Sequence, residues 1–251
     1  PVLFPALARR LGRGLIGGSV VTQPDLGGAA ATVDLDVWRV CDAAGLHLIR
    51  AARDATDDAL VDLFLHGDFE ERVIVLRSQA LLPAGGATAR LFGEVQRTNT
   101  ATHFEALACD HDLPARACGI PGFGPDELNR LVLKAAFLDL PLRRLFRAEE
   151  FANPELSRML QDLATEREAA GRVVWADTDR MLGLAPTRGT LLRLLGALEH
   201  GSDARRRAAA EALLRQTAPE LLPLVRDRAE REPVPEICAQ LLDLVNRWSR
   251  D

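Results

Sequence analysis

The stretch Gly201-Ser202-Asp203-Ala204-Arg205-Arg206-Arg207-Ala208-Ala209-Ala210-Glu211-Ala212-Leu213-Leu214 decides the fold class. Ala, Arg, Glu and Leu are strong helix formers. Ser202-Asp203 supplies an N-cap and an acidic first turn. Moving outward, Pro186 opens a helix that ends at His200-Gly201, Thr217-x-x-Glu220 reads as a capping box, and Pro235-Glu236 opens a last helix ending near Trp248. From Pro186 on, helices of about 14 residues alternate with tight turns.

Helices of this length in this rhythm look like HEAT-type repeat helices. Such helices cannot bury their apolar faces alone, so they stack in pairs. The expected fold is all-α, a HEAT-like helical repeat or α-α superhelix of mostly antiparallel helix pairs. Further upstream, Asn153-Pro154-Glu155 is a cap, a first-turn proline and a first-turn acid, and Gly171 closes that helix. Pro125 suits the start of a helix running to Leu140. Apolar residues at three- and four-residue steps predict helices over 37–51, around Leu60–Phe64, over 68–82, 88–97 and 101–109. Residues 110–125, with three prolines and three glycines, read as a long connection. Residues 17–32, with four glycines and a proline, read as a loop or linker after a short amphipathic helix over 2–14. The expected organisation is therefore residues 1–33 as short helix and glycine-rich linker, and residues 34–251 as one all-helical domain with HEAT-like helices from about 186.

Composition agrees with helix and restricts function. The 251 residues are 47% hydrophobic and 27% charged, enough to bury a core. There are 30 Arg, one Lys and no Tyr. The arginines are scattered among acids, which reads as base composition rather than an anion-binding patch. Net charge is −5 and neither half is basic, so nucleic acid is not the expected partner. No apolar run approaches the roughly 20 residues of a membrane span. Four widely spaced cysteines without C-x-x-C suggest reduced thiols, and the expected setting is cytoplasmic.

Several short matches lack the context their chemistry needs. Gly12-x-Gly14-x-x-Gly17 follows a helix-like segment, not the strand that a dinucleotide site requires. His103-Phe104-Glu105 has the spacing of a zinc deaminase but no P-C-x-x-C pair to complete the metal site. Cys109, His111 and Cys118 fit no standard zinc spacing. Asp54-x-x-Asp57-Asp58 and Asp177-x-Asp179 lack a second magnesium motif. No metal and no cofactor are expected.

The informative positions are polar groups in apolar helix phase. Lys134, the only lysine, sits in Leu131-Val132-Leu133-Lys134-Ala135-Ala136-Phe137-Leu138 with no acid three or four residues away. A buried ammonium needs a carboxylate or carbonyls from another element. Asn129 shares the helix. Glu105 lies between Phe104 and Leu107, and the stripe Leu156, Met159, Leu160, Leu163 runs into Glu166 and Arg167. These groups form either a structural network that fixes helix register or the lining of a ligand pocket. With Asn99 and His103, they are the candidate ligand-binding residues: Asn99, His103, Glu105, Asn129, Lys134, Glu166 and Arg167. No catalytic residue is assigned.

The blocks Gly67-Asp68, Glu71-Arg72, Arg97-Thr98-Asn99, Phe104-Glu105-Ala106-Leu107-Ala108, Leu128 to Phe137, Asn153 to Leu160, Glu166-Arg167 and Ala170-Gly171 together resemble the EboA family over roughly residues 34–215. The resemblance implies a helical, HEAT-like protein associated with secondary-metabolite gene clusters and metabolite traffic. The family brings no agreed catalytic residues, and the stretch 109–124 departs from its usual pattern. The leading expectation is an accessory protein that binds a small-molecule metabolite or a pathway protein in a helical groove. It has no membrane span, though peripheral association with a membrane protein is compatible with it. The alternatives are a cofactor-independent enzyme using the Lys134 network for cyclisation or rearrangement, and a pure interaction scaffold with Arg205, Arg206 and Arg207 at its rim.

Overall fold

The computed structural model describes residues 4–52 and 56–250; Asp54 of the acidic motif and the start of the expected 2–14 helix lie outside them. The described residues form 14 α-helices and one two-stranded sheet, so the class is all-α with a hairpin added. The chain divides into two compact units, one comprising Pro1–Leu138 and Leu142–Phe151, the other Asp139–Pro141 and Ala152–Asp251.

The first unit contains α1 (Leu7–Leu11), β1 (Val20–Pro24), β2 (Ala30–Asp34), α2 (Val40–Ala51), α3 (Asp57–His66), α4 (Phe69–Ser78), α5 (Gly86–Arg97), α6 (Ala101–Ala108), α7 (Leu113–Ala117) and α8 (Pro125–Phe137). Its central helix is α4. Val73, Ile74, Val75 and Leu76 are consecutive and all buried, because α2, α3 and α6 pack around them. Asp68 starts α4 with a reciprocal cap: its carboxylate accepts from Glu71 N at 2.9 Å, and Glu71 accepts from Asp68 N. The helix α8 is amphipathic: Leu131 and Ala135 are buried while Phe137 is exposed.

The glycine-rich linker expected over 17–32 is largely a β-hairpin. Val20 pairs with Asp34 and Pro24 with Ala30 in antiparallel register. The Asp25 carboxylate accepts from Gly27 N at 2.8 Å and Ala29 N at 3.0 Å and so makes the turn. Ala31 and Val33 point inward against Trp38 and Ala80. The long connection also gains structure. His111 bridges β2 at Val33 on one side and Leu145 on the other. It is followed by α7.

The second unit contains α9 (Pro154–Ala169), α10 (Thr178–Leu184), α11 (Thr190–Leu198), α12 (Asp203–Leu213), α13 (Leu222–Arg231) and α14 (Pro235–Trp248). Asn153 caps α9 through Leu156 N at 3.0 Å. Helix α10 was not anticipated, and α13 begins after a short 3-10 turn at Pro219–Leu221 rather than at a Thr217 box. In it, α11 packs on α12 and α13 on α14 around Leu194, Leu213, Val225, Leu241 and Trp248. At Gly183 of α10 a Cβ would lie 2.6 Å from the Ala212 Cβ, so only glycine permits that helix crossing. The buried Glu232 carboxylate accepts from Arg206 at 3.0 Å and Arg228 at 2.6 Å.

Candidate functional groove

A groove of about 830 Å³ runs along α5 in the first unit. Its construction starts from the spacing within α5. Gly86, Arg90, Gly93 and Arg97 recur at four, three and four residues and share the face that lines it. Leu91, Phe92 and Val95 of the same helix are buried. Phe92 stacks on Phe123 with centroids 4.4 Å apart, and the pair forms an apolar floor. Phe123 is brought there by the loop before α8, where Gly119 N donates to Phe123 O at 2.8 Å and Gly122 takes a φ of +84°. Val61 and Leu65 of α3 add an apolar wall, and Glu127 and Arg130 of α8 complete the lining.

The rim is a set of ion pairs, two of them between residues three apart. Arg90 pairs with Asp58, Arg97 donates to Glu94 at 2.8 Å, and Arg130 pairs with Glu127. The second oxygen of Glu127 accepts from Gly124 N at 2.9 Å and caps α8. That backbone bond, together with Arg130, holds the Glu127 carboxyl below the usual range.

The far end of α5 is held by α8. Gln96 Nε2 donates to Glu127 O at 3.4 Å. Lys134 Nζ donates to Val95 O at 2.8 Å, Gln96 O at 2.9 Å and Thr98 O at 2.6 Å, and lies 5.7 Å from the centre of the Phe104 ring. An ammonium has three donors, and all three are used on the open carbonyls of a helix C-terminus, where a cation is favoured. Burial lowers the Lys134 pKa. The requirement stated by the sequence, carbonyls or a carboxylate from another element, is met by carbonyls.

None of the other sequence-predicted residues is part of the groove lining. Asn99 is exposed in the turn after α5. His103 is buried on α6, its ring 4.8 Å from Phe69, with burial lowering its pKa. Glu105 accepts from Arg144 at 2.8 Å; the same guanidinium donates to both Asp110 oxygens. Asn129 is buried on α8. In the second unit Glu166 is exposed on α9, and Arg167 donates to Asp139 at 2.7 Å and Val173 O at 3.0 Å. Glu105 and Lys134 therefore answer to different partners. Cys109 is buried and its thiol is pushed up to about 12, and among the described residues no three His, Cys, Asp or Glu side chains gather as a metal site.

The residues that do line the groove, chiefly Phe92, Gly93, Arg97, Phe123 and Arg130, were not singled out for binding by the sequence. A signal existed: Gly93 interrupts an amphipathic helix with arginines at three and four residues on either side.

A family model described as metabolite traffic protein EboA matches residues 33–183, and the chain belongs to this family. The whole groove lining, from Val61 to Arg130, falls inside the matched stretch. No curated protein and no solved structure matches the chain.

Proposed function

We propose, from this membership of the EboA family, that the protein is an accessory component of a secondary-metabolite pathway that holds a small-molecule intermediate in the groove along α5. The observation that carries the reading is Gly93. A glycine inside a helix costs about 1 kcal/mol relative to alanine. Packing does not ask for it here, since an added Cβ would meet nothing nearer than Arg97 Nη2 at 4.0 Å. What the missing side chain provides is depth in the groove. A volume of about 830 Å³, an apolar floor and a few polar groups at the rim fit the usual build of a small-molecule site.

The enzyme reading has less support, because every N–H of the Lys134 ammonium is committed to a carbonyl. The scaffold reading drew on Arg205, Arg206 and Arg207, of which Arg205 pairs with Glu168 and Asp179 and Arg206 with Asp203 and Glu232. We read the pairs α11/α12 and α13/α14 as HEAT-like repeat units and assign the protein to the cytoplasm. Among the described residues no helix is long and apolar enough to cross a membrane.

The test is mass spectrometry of protein purified from its own source, under native and denaturing conditions. A small molecule present only in the native spectrum supports the reading. A retained protein partner with no small molecule transfers it to the scaffold.

A further inference from the structure

We propose, building on the groove reading above, that the bound molecule is an amphiphilic anion, with its apolar body over Phe92, Gly93 and Phe123 and an oxyanion head held by Arg97 and Arg130. The lining contains three arginines against two glutamates. Arg97 and Arg130 each donate a single N–H to a glutamate three residues away, with 75% and 54% of their side chains exposed. Each guanidinium has five N–H donors in a fork suited to a carboxylate, sulfonate or phosphate. Exposed pairs of this kind contribute little, so the forks can turn to a better acceptor at small cost.

The helix segments that carry the two arginines are tied to each other beside the groove. Gln96, next to Arg97, donates to the carbonyl of Glu127, one turn before Arg130. Arg90 stands seven residues from Arg97, about 10 Å along the helix. The open position at Gly93 lies between them. An apolar segment ending in one oxyanion matches this order of floor and charge. Glu94 competes for Arg97, whereas Glu127 is tied into the cap of α8.

The experiment compares two fluorescent probes, 8-anilinonaphthalene-1-sulfonate and N-phenyl-1-naphthylamine, which share an aromatic body and differ by the sulfonate. Both should bind the full-length protein and both should be lost in Gly93→Leu. The double variant Arg97→Gln/Arg130→Gln should weaken the sulfonate by about tenfold or more and leave the neutral probe unchanged. Glu94→Gln should tighten the sulfonate alone. If the double variant leaves the ratio of the two affinities unchanged, the anion proposal is overturned while the groove reading stands. If neither probe binds, or Gly93→Leu spares both, the groove reading fails and this proposal fails with it.

Discussion

Lys134 of α8 donates to the carbonyl oxygen of Thr98, immediately beyond α5, at 2.6 Å. With its bonds to Val95 and Gln96 it closes the end of the helix that forms one wall of the groove. The single lysine thus acts on the candidate site from behind, as a positioning residue.

Lys134→Met leaves those three carbonyls without their cation. The expected loss is about 1–3 kcal/mol in urea denaturation. Lys134→Arg should recover part of it, since a guanidinium keeps the charge but not the compact threefold geometry. Equal stability of the Met variant and the wild type would remove the capping role.

Asp110 combines two demands. Its φ is +65°, and its carboxylate receives the Arg144 fork at 2.6–3.2 Å. Asn tolerates left-handed backbone but lacks the charge; a β-branched residue lacks both. The predicted order of stability is wild type, then Asp110→Asn, then Asp110→Val, with the last step costing about 1–2 kcal/mol from backbone strain. Chemical denaturation of the three proteins decides it, and a Val variant as stable as Asn would contradict it.

His111 is fully buried, and burial drives its pKa down to about 4, with the nearby Arg116 acting the same way. Its Nδ1 accepts from Leu113 N at 3.3 Å, as a neutral ring allows. The unfolded chain binds this proton near pH 6.5 and the folded chain does not until about pH 4. Stability is therefore full above about 6.5 and falls as pH drops to about 4, by on the order of 3 kcal/mol. His111→Asn should flatten melting temperature against pH across that window. An unchanged slope would assign the acid sensitivity to carboxylates instead.

Gly93→Ala should fold normally and gain about 0.5–1 kcal/mol, because the helix loses its glycine penalty and the new Cβ meets open space. A destabilised Ala variant in a thermal melt would mean that packing, not groove depth, requires the glycine.

Much of the helical framework was legible because its signals are local. Asn153-Pro154-Glu155 and Pro125 mark the starts of α9 and α8, and Gly171, with a φ of +65°, follows the end of α9. The hairpin was hidden by glycine counting. Its own signal was present in Val20-Val21-Thr22 and Ala31-Thr32-Val33 around an Asp25 turn, alternating residues that bury one face. The partner of Lys134 could be stated by type but not by place, because the carbonyls of Val95, Gln96 and Thr98 come from a helix nearly forty residues away. Sequence phase also set Glu105 and Lys134 in one network, whereas Glu105 is claimed by Arg144, a residue with no local link to it. The groove floor depends on Phe123 reaching Phe92 across a loop, which no spacing rule reveals.

The most direct test of the central claim is native mass spectrometry of the wild type and Gly93→Leu, each purified from the protein's own source. The account predicts a small-molecule adduct on the wild type that is absent from a folded Gly93→Leu protein. An adduct of equal occupancy on both would contradict it, placing the ligand away from the groove along α5.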